Sequence, residues 1–120
     1  MKTLEKELDR KWSAAVKSKA GFRCEQCGSD NVSAHHIISR NHKRLRWNPY
    51  NGLCLCFNCH RNAHDYPNRF EKWLKDAHFS RYEALKELRH VWHPTLEELQ
   101  KAERILDRII KDTGTEELPF

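Results

Sequence analysis

The sequence predicts an α+β fold: two short strands and a helix clipped by metal at the centre, an amphipathic helix before them and more helices after. Three observations carry this. Two Cys-x2-Cys pairs, Cys24/Cys27 and Cys56/Cys59, bracket the middle of the chain. Short β-prone runs lie between them. Outside that centre, apolar residues recur at helical spacing.

The chain has 120 residues, which fits one domain. A chain this size buries a limited fraction of its surface, so a staple would add needed stability. Leu4, Leu8, Trp12, Ala15 and Val16 follow a helical period, and Gly21 stands where a helix would stop, so residues 3–20 read as an amphipathic helix. Residues 22–66 hold all five cysteines and five of the eight histidines. Val32-Ser33-Ala34 through Ile37-Ile38 is one β-prone run, and Leu53-Cys54-Leu55-Cys56 is the other. A long polar loop joins them, and Asn48-Pro49-Tyr50-Asn51-Gly52 in it is a turn signal. A structureless loop of that length in a small domain is usually functional.

Residues 68–112 read as helical. Asn68 with Glu71, Ser80 with Glu83, and Thr95 with Glu98 have capping-box spacing. Phe70, Trp73, Leu74 and Ala77 form one apolar stripe, and Tyr82, Leu85, Leu88 and Trp92 a second. Leu96, Leu99, Ala102, Leu106, Ile109 and Ile110 form a third, and such stripes belong to a core. Residues 113–120 read as a tail.

No stretch has the length and apolarity of a membrane span, and the N-terminus is charged with no apolar signal core. The expected compartment is the cytoplasm, where disulfides are rare. Cysteines there are metal ligands or reactive thiols. The net charge is +5, and no Asp or Glu occurs from Asn31 to His64. Arg40, Lys43, Arg44, Arg46 and Arg61 lie in that window. A basic centre between mixed-charge flanks fits a polyanionic partner, although a solvated basic loop gives the same pattern.

Each Cys-x2-Cys pair places two thiolates where they can share one ion. Two pairs complete a tetrahedral zinc site from Cys24, Cys27, Cys56 and Cys59. Cys54 is left over, as a small core residue or a competing ligand. His35 and His36 are adjacent in a strand, so they face opposite ways and do different jobs. His60 and His64 are four apart in a helix and share one face, the spacing of a metal clamp. One more His from the strand makes a three-His site with open positions, as a catalytic metal requires.

The string Cys24-x2-Cys27, Ala34-His35-His36-Ile37-Ile38, Asn51-Gly52-Leu53 and Leu55-Cys56-x2-Cys59-His60-x3-His64 resembles the HNH endonucleases, whose fold is the ββα-metal finger. The double His and final His-x3-His are similar to the colicin-type DNase variant. The likeness covers residues 22–66. Leu45-Arg46-Trp47-Asn48 before Asn51, with a helical C-terminal part, is more weakly similar to phage NinG-type recombination proteins.

The HNH resemblance implies DNA as partner and hydrolysis to a 5′-phosphate and a 3′-hydroxyl, by nicking or double-strand cleavage. It implies His36 as general base, with a ring that Asn51 orients through its side-chain carbonyl. It implies a catalytic divalent ion on His35, His60 and His64. Many HNH proteins carry Asp where this chain has His35. An all-imidazole site favours nickel, cobalt, zinc or manganese over magnesium, which prefers oxygen. Arg40, Lys43, Arg44, Arg46 and Arg61 are candidates for the DNA backbone. Trp47 and Tyr50 either stack on a base or pack under the loop. His42, His78, His90 and His93 have no partner legible in the sequence. A non-catalytic zinc-finger module that binds nucleic acid is the alternative from a different class; it needs neither His36 nor a second metal. The C-terminal helices offer faces for a homodimer or for a larger phage complex.

Overall fold

The computed structural model describes residues 2–88 and 94–112. They form a mostly helical arrangement around one two-stranded antiparallel sheet. The order is α1 (Lys2–Lys19), β1 (Val32–His36), α2 (Lys43–Arg46), a 3-10 turn (Pro49–Asn51), β2 (Gly52–Cys56), α3 (Phe57–Asp65), α4 (Pro67–Ala77), α5 (Phe79–Glu87) and α6 (Leu96–Asp112). Among the described residues no helix is long and apolar enough to cross a membrane.

Helix α1 ends in a Schellman motif. Phe22 N–H reaches Lys17 O at 2.9 Å and Gly21 N–H reaches Ser18 O at 3.0 Å, with Gly21 at φ 64°. The loop between the strands is not the structureless span expected: it winds into α2 and the 3-10 turn. Two expected capping boxes do not form. Helix α4 starts on Pro67 after Tyr66, and α5 starts at Phe79 after His78, neither with a side-chain cap. Proline at the first helical position sets φ and needs no N–H partner, which displaces Asn68 from the cap. Thr95 and Glu98 do form the box, with Glu98 N–H on Thr95 Oγ1 at 3.2 Å and Thr95 N–H on Glu98 Oε1 at 3.0 Å.

The strands pair Val32 with Cys56, Ala34 with Cys54 and His36 with Gly52. Each face of this hairpin carries its own core. Helices α1 and α6 cover one face with Leu8, Trp12, Ala15, Val16, Leu99 and Leu106, and Cys54 and Trp47 are buried among them. The other face buries Leu53 and Leu55 against Ala63, Leu74, Tyr82 and Leu85. Of the expected stripes, Leu74, Tyr82, Leu85, Leu99 and Leu106 are buried, whereas Ala77 and Leu96 are exposed. Trp92, His90, His93 and residues 113–120 lie outside the described residues.

The two faces also depend on polar ties. On β2, Cys54 turns its backbone polar groups away from β1, and Glu25 closes that edge: its N–H donates to Cys54 O and its carboxylate accepts from Cys54 N–H. Unpaired strand edges invite association, so this tie completes the sheet. Gly52 serves close approach rather than a turn. A Cβ there would fall inside the Val16 side chain and come 2.9 Å from Trp12 Cζ2. Only glycine lets α1 lie directly on the hairpin.

Candidate functional site

Two clusters of ligand-type side chains meet at the hairpin and α3. In the first, the Cys24, Cys27, Cys56 and Cys59 sulfurs all lie within 4.8 Å of one another, and Cys27 Sγ is 3.5 Å from Cys56 Sγ. Thiolates on one zinc at about 2.3 Å stand about 3.8 Å apart in a tetrahedron, so the four sulfurs fit one zinc ion. Both knuckles are built alike. Cys27 N–H points at Cys24 Sγ and Cys59 N–H at Cys56 Sγ, each at 3.4 Å. Such donors stabilise negative sulfur. Ser29 and its backbone N–H, with Cys56 and Cys24, pull the Cys27 thiol down to about 6. Burial and the three neighbouring sulfurs push Cys59 the other way. Cys27 and Cys59 thus differ in how readily they ionise on their own; a cation at the centre would favour the thiolate form of the ligands. Cys54 is no competing ligand. It sits in the opposite core, where burial raises its thiol to about 11.

The second cluster is His35 on β1 with His60 and His64 on α3, whose ligand nitrogens lie within 4.8 Å of one another. Nitrogens on one ion at about 2.1 Å sit at most about 4.2 Å apart, so donor shifts of under about 1 Å close the site. Phe70 of α4 packs edge-on against His35 at 5.1 Å between centroids. Burial, then the neighbouring imidazoles, hold His35 down to about 4, and burial also lowers His60. At neutral pH both are therefore neutral, the form a metal needs.

Ser33, which the sequence did not single out, orients the His60 ring. Its Oγ lies 2.7 Å from His60 Nδ1, and either atom can be the donor. With Nδ1–H donating to the hydroxyl, Nε2 would be free for a metal.

His36 is one residue away and on the other face. Its ring stacks on Trp12 at 3.8 Å and 5° between planes. Its Nε2 lies 3.0 Å from Arg46 O, which only accepts, so Nε2 holds the proton and Nδ1 holds the lone pair. Burial lowers its pKa, and the nearby Arg40 and Arg46 charges add to that.

The role expected of Asn51 is corrected. Its side-chain carbonyl does not meet His36; it accepts from Ile38 N–H at 2.7 Å. Its Nδ2 donates to Ile38 O at 2.9 Å and Leu45 O at 3.1 Å. Fully buried, Asn51 staples the two ends of the loop and so fixes Arg46 O, the acceptor for His36. It is a positioning residue that ties Ile38 to Leu45 across the buried loop interior, where Leu45 O also accepts from Asn48 N–H at 3.1 Å.

Two carboxylates of α1, Asp9 and Glu5, offset part of the charge of the basic loop. Asp9 accepts from Arg46 Nε and Nη2 at 3.0 and 2.7 Å, from Trp47 Nε1 at 2.8 Å and from Arg40 at 3.0 Å. Burial opposes the Asp9 charge, but these donors hold it below the ordinary carboxylate value. Lys43 and Arg46 also face Glu5, at 3.5 and 3.6 Å. Arg46 is thus a half-buried structural fork, and the expectation that it grips DNA gives way to that. Arg61 makes only a loose exposed pair with Asp65 at 3.6 Å, and Arg44 is exposed on α2. Trp47 packs in the core, whereas Tyr50 is exposed with Lys19 4.8 Å over its ring. His78 has a partner after all, its ring meeting Trp73 edge-on at 5.3 Å. His42 precedes α2 without capping it.

No family model, curated protein or solved structure matches this chain. The functional reading therefore rests on these residues alone.

Proposed function

We propose that this protein is a metal-dependent DNA endonuclease of the HNH type, its hairpin and α3 forming a ββα-metal finger with a structural zinc on the four cysteines. The observation that carries the reading is the division of labour between adjacent histidines: His35 joins His60 and His64 in a three-imidazole cluster, while His36 holds a free imidazole lone pair on the other face.

His35, His60 and His64 would hold the catalytic ion. Bound there, a divalent metal would stabilise charge on the phosphate and on the leaving 3′ oxygen. The all-nitrogen donor set suits nickel, cobalt, zinc or manganese better than magnesium. His36 is the general base. Its Nε2–H is tied to Arg46 O, so the proton from the attacking water goes to Nδ1. With its pKa lowered by burial, the ring is neutral and able to accept at pH 7. Trp12 holds the plane of the imidazole, and Asn51 holds Leu45 O, the neighbour of the Arg46 carbonyl that orients it. Arg61, beside His60 on α3, and Arg44 on α2 are exposed cations that would meet backbone phosphate.

The test is incubation of the zinc-loaded protein with supercoiled plasmid and a panel of divalent metals, with His36→Ala alongside. Metal-dependent nicking that His36→Ala abolishes is expected, with 5′-phosphate ends. Plasmid bound but uncut under every metal would leave a zinc-stabilised binding module instead.

A further inference from the structure

On the face of the hairpin that α1 covers, a small cleft opens between the end of α1, the 3-10 turn and α5. Its volume is about 150 Å3, and its lining includes Lys19, Glu25, Tyr50, Gly52 and Arg81. Arg81 and Lys19 bring two cations to it. Arg81 crosses from α5, donating from Nε to Tyr50 O at 2.7 Å and from Nη2 to Gly52 O. Its Nη1 faces Glu25 at 3.9 Å, beyond hydrogen-bond reach. Lys19 forms no ion pair among the described residues, and its ammonium rests over the Tyr50 ring. Glu25 is the one carboxylate in the lining, and one of its oxygens is already committed to Cys54 N–H. The cleft therefore carries a surplus positive charge against low-dielectric walls, which strengthens attraction for an anion. Lys19 registers that surplus: burial, then the Arg81 charge, lower its pKa.

We infer that this cleft is a phosphate subsite, in which Lys19 and the unused Nη1 of Arg81 take a backbone phosphate of bound nucleic acid. A guanidinium edge beside a mobile ammonium suits a tetrahedral oxyanion. Placement names the source. Gly52, in the cleft wall, pairs directly with His36 across the hairpin. Lys19 lies seven residues beyond Trp12 on α1, about 10 Å along the helix, a span of a few nucleotides on one strand. Tyr50 stands exposed at the rim, where a base face can rest. The subsite rests on the nuclease reading above, and it adds a phosphate contact outside the loop, where Arg46 and Arg40 are held by Asp9.

The experiment measures binding of labelled duplex DNA to the zinc-loaded protein without added divalent metal, from about 50 to about 200 mM salt. Lys19→Gln is compared with Lys101→Gln, an exposed α6 lysine that serves as the charge control. Lys19→Gln should weaken affinity about three- to tenfold and flatten the slope of log affinity against log salt by about 0.9, with zinc content and melting unchanged. Lys101→Gln should leave the slope near the parent's. Equal slopes in all three proteins, with plasmid nicking intact, would overturn the subsite and leave the nuclease standing. If the parent neither binds nor cuts DNA, both readings fall. Inorganic phosphate is the second arm: saturation of the Lys19 ammonium resonance by phosphate alone, with the DNA slope unmoved by Lys19→Gln, would assign the cleft to a free phosphate compound and overturn the nucleic-acid assignment.

Discussion

The two faces of the hairpin are stabilised differently. The face covered by α1 and α6 is packed by long helices, with Leu8, Trp12, Val16, Leu99 and Leu106 buried together and Lys11 bridging to Glu103 and Asp107. The face that carries His35 is built from short elements, and beside it lie the two cysteine knuckles, whose four sulfurs could hold a zinc ion. One residue step along β1 moves a side chain from one regime to the other. His35 enters a cluster with its donors converging, and His36 stacks on the Trp12 ring with one nitrogen tied down. A strand thus sets the three-imidazole cluster and His36 on opposite faces while keeping His35 and His36 adjacent in the backbone, the separation that the proposed metal and proton-transfer roles would need.

The sharpest way to break the comparison is to remove zinc. Structural zinc supplies on the order of 10 kcal/mol in small metal domains, more than a short hairpin and helix can replace. Chelation, or Cys59→Ser, should collapse hydrogen-exchange protection in β2 and α3 far more than in α1. Equal protection with and without metal, or an unchanged melting temperature, would show that packing alone holds both faces.

The next largest effect separates the two histidines. His36→Ala should lower nicking by a factor of ~10²–10⁴ while leaving metal content unchanged. His35→Ala, His60→Ala and His64→Ala should instead weaken the second metal, so excess metal partly restores them. A metal titration of nicking rate, paired with mass spectrometry of bound metal, checks this. Rescue of His36→Ala by metal, with His35→Ala dead throughout, would reverse the two roles.

Gly52→Ala sharpens the comparison from the packed side. The added methyl collides with Val16 and Trp12, so α1 must lift from the hairpin. Overpacking of this kind costs about 1–3 kcal/mol, and here it also disturbs the Trp12–His36 stack. Denaturant unfolding should show the loss, with nicking falling further than metal affinity. An equal fall in both would mean that the faces are mechanically coupled.

What the sequence made legible was local. The Cys-x2-Cys spacing, the alternation of His35 and His36 and the helical spacing of His60 and His64 are each set by a few residues of backbone geometry. What it hid were contacts between distant segments. Asp9 neutralising Arg46, Trp12 covering His36 and Glu25 closing the edge at Cys54 join residues roughly thirty positions apart, where no local period operates. Charge along the loop read as surplus because its counter-charge lies on another helix. Asn51 read as a turn residue because a buried staple and a turn start from the same Asn-Gly dipeptide. The failed caps at Asn68 and Ser80 show the reverse case, in which local spacing is present but a proline or a preceding residue starts the helix first.

The smallest predicted effect tests the histidine cluster without touching a ligand. Ser33 Oγ stands 2.7 Å from His60 Nδ1, and with Nδ1–H donating to that hydroxyl the tautomer has Nε2 free for a metal. Without the hydroxyl, His60 is free to move its proton to Nε2, and each metal must then first pay for tautomer exchange and reorientation. Ser33→Ala should therefore weaken the second metal roughly tenfold, the low end of what partners behind a ligand contribute, and leave the cysteine zinc in place. Ser33→Thr keeps the hydroxyl on a β-branched residue suited to a strand and should restore most of the affinity. Nitrogen NMR of the metal-free protein reads the tautomer directly. If Ser33→Ala left His60 protonated on Nδ1, the ordering would come from ring packing against His64, and the hydroxyl would be incidental.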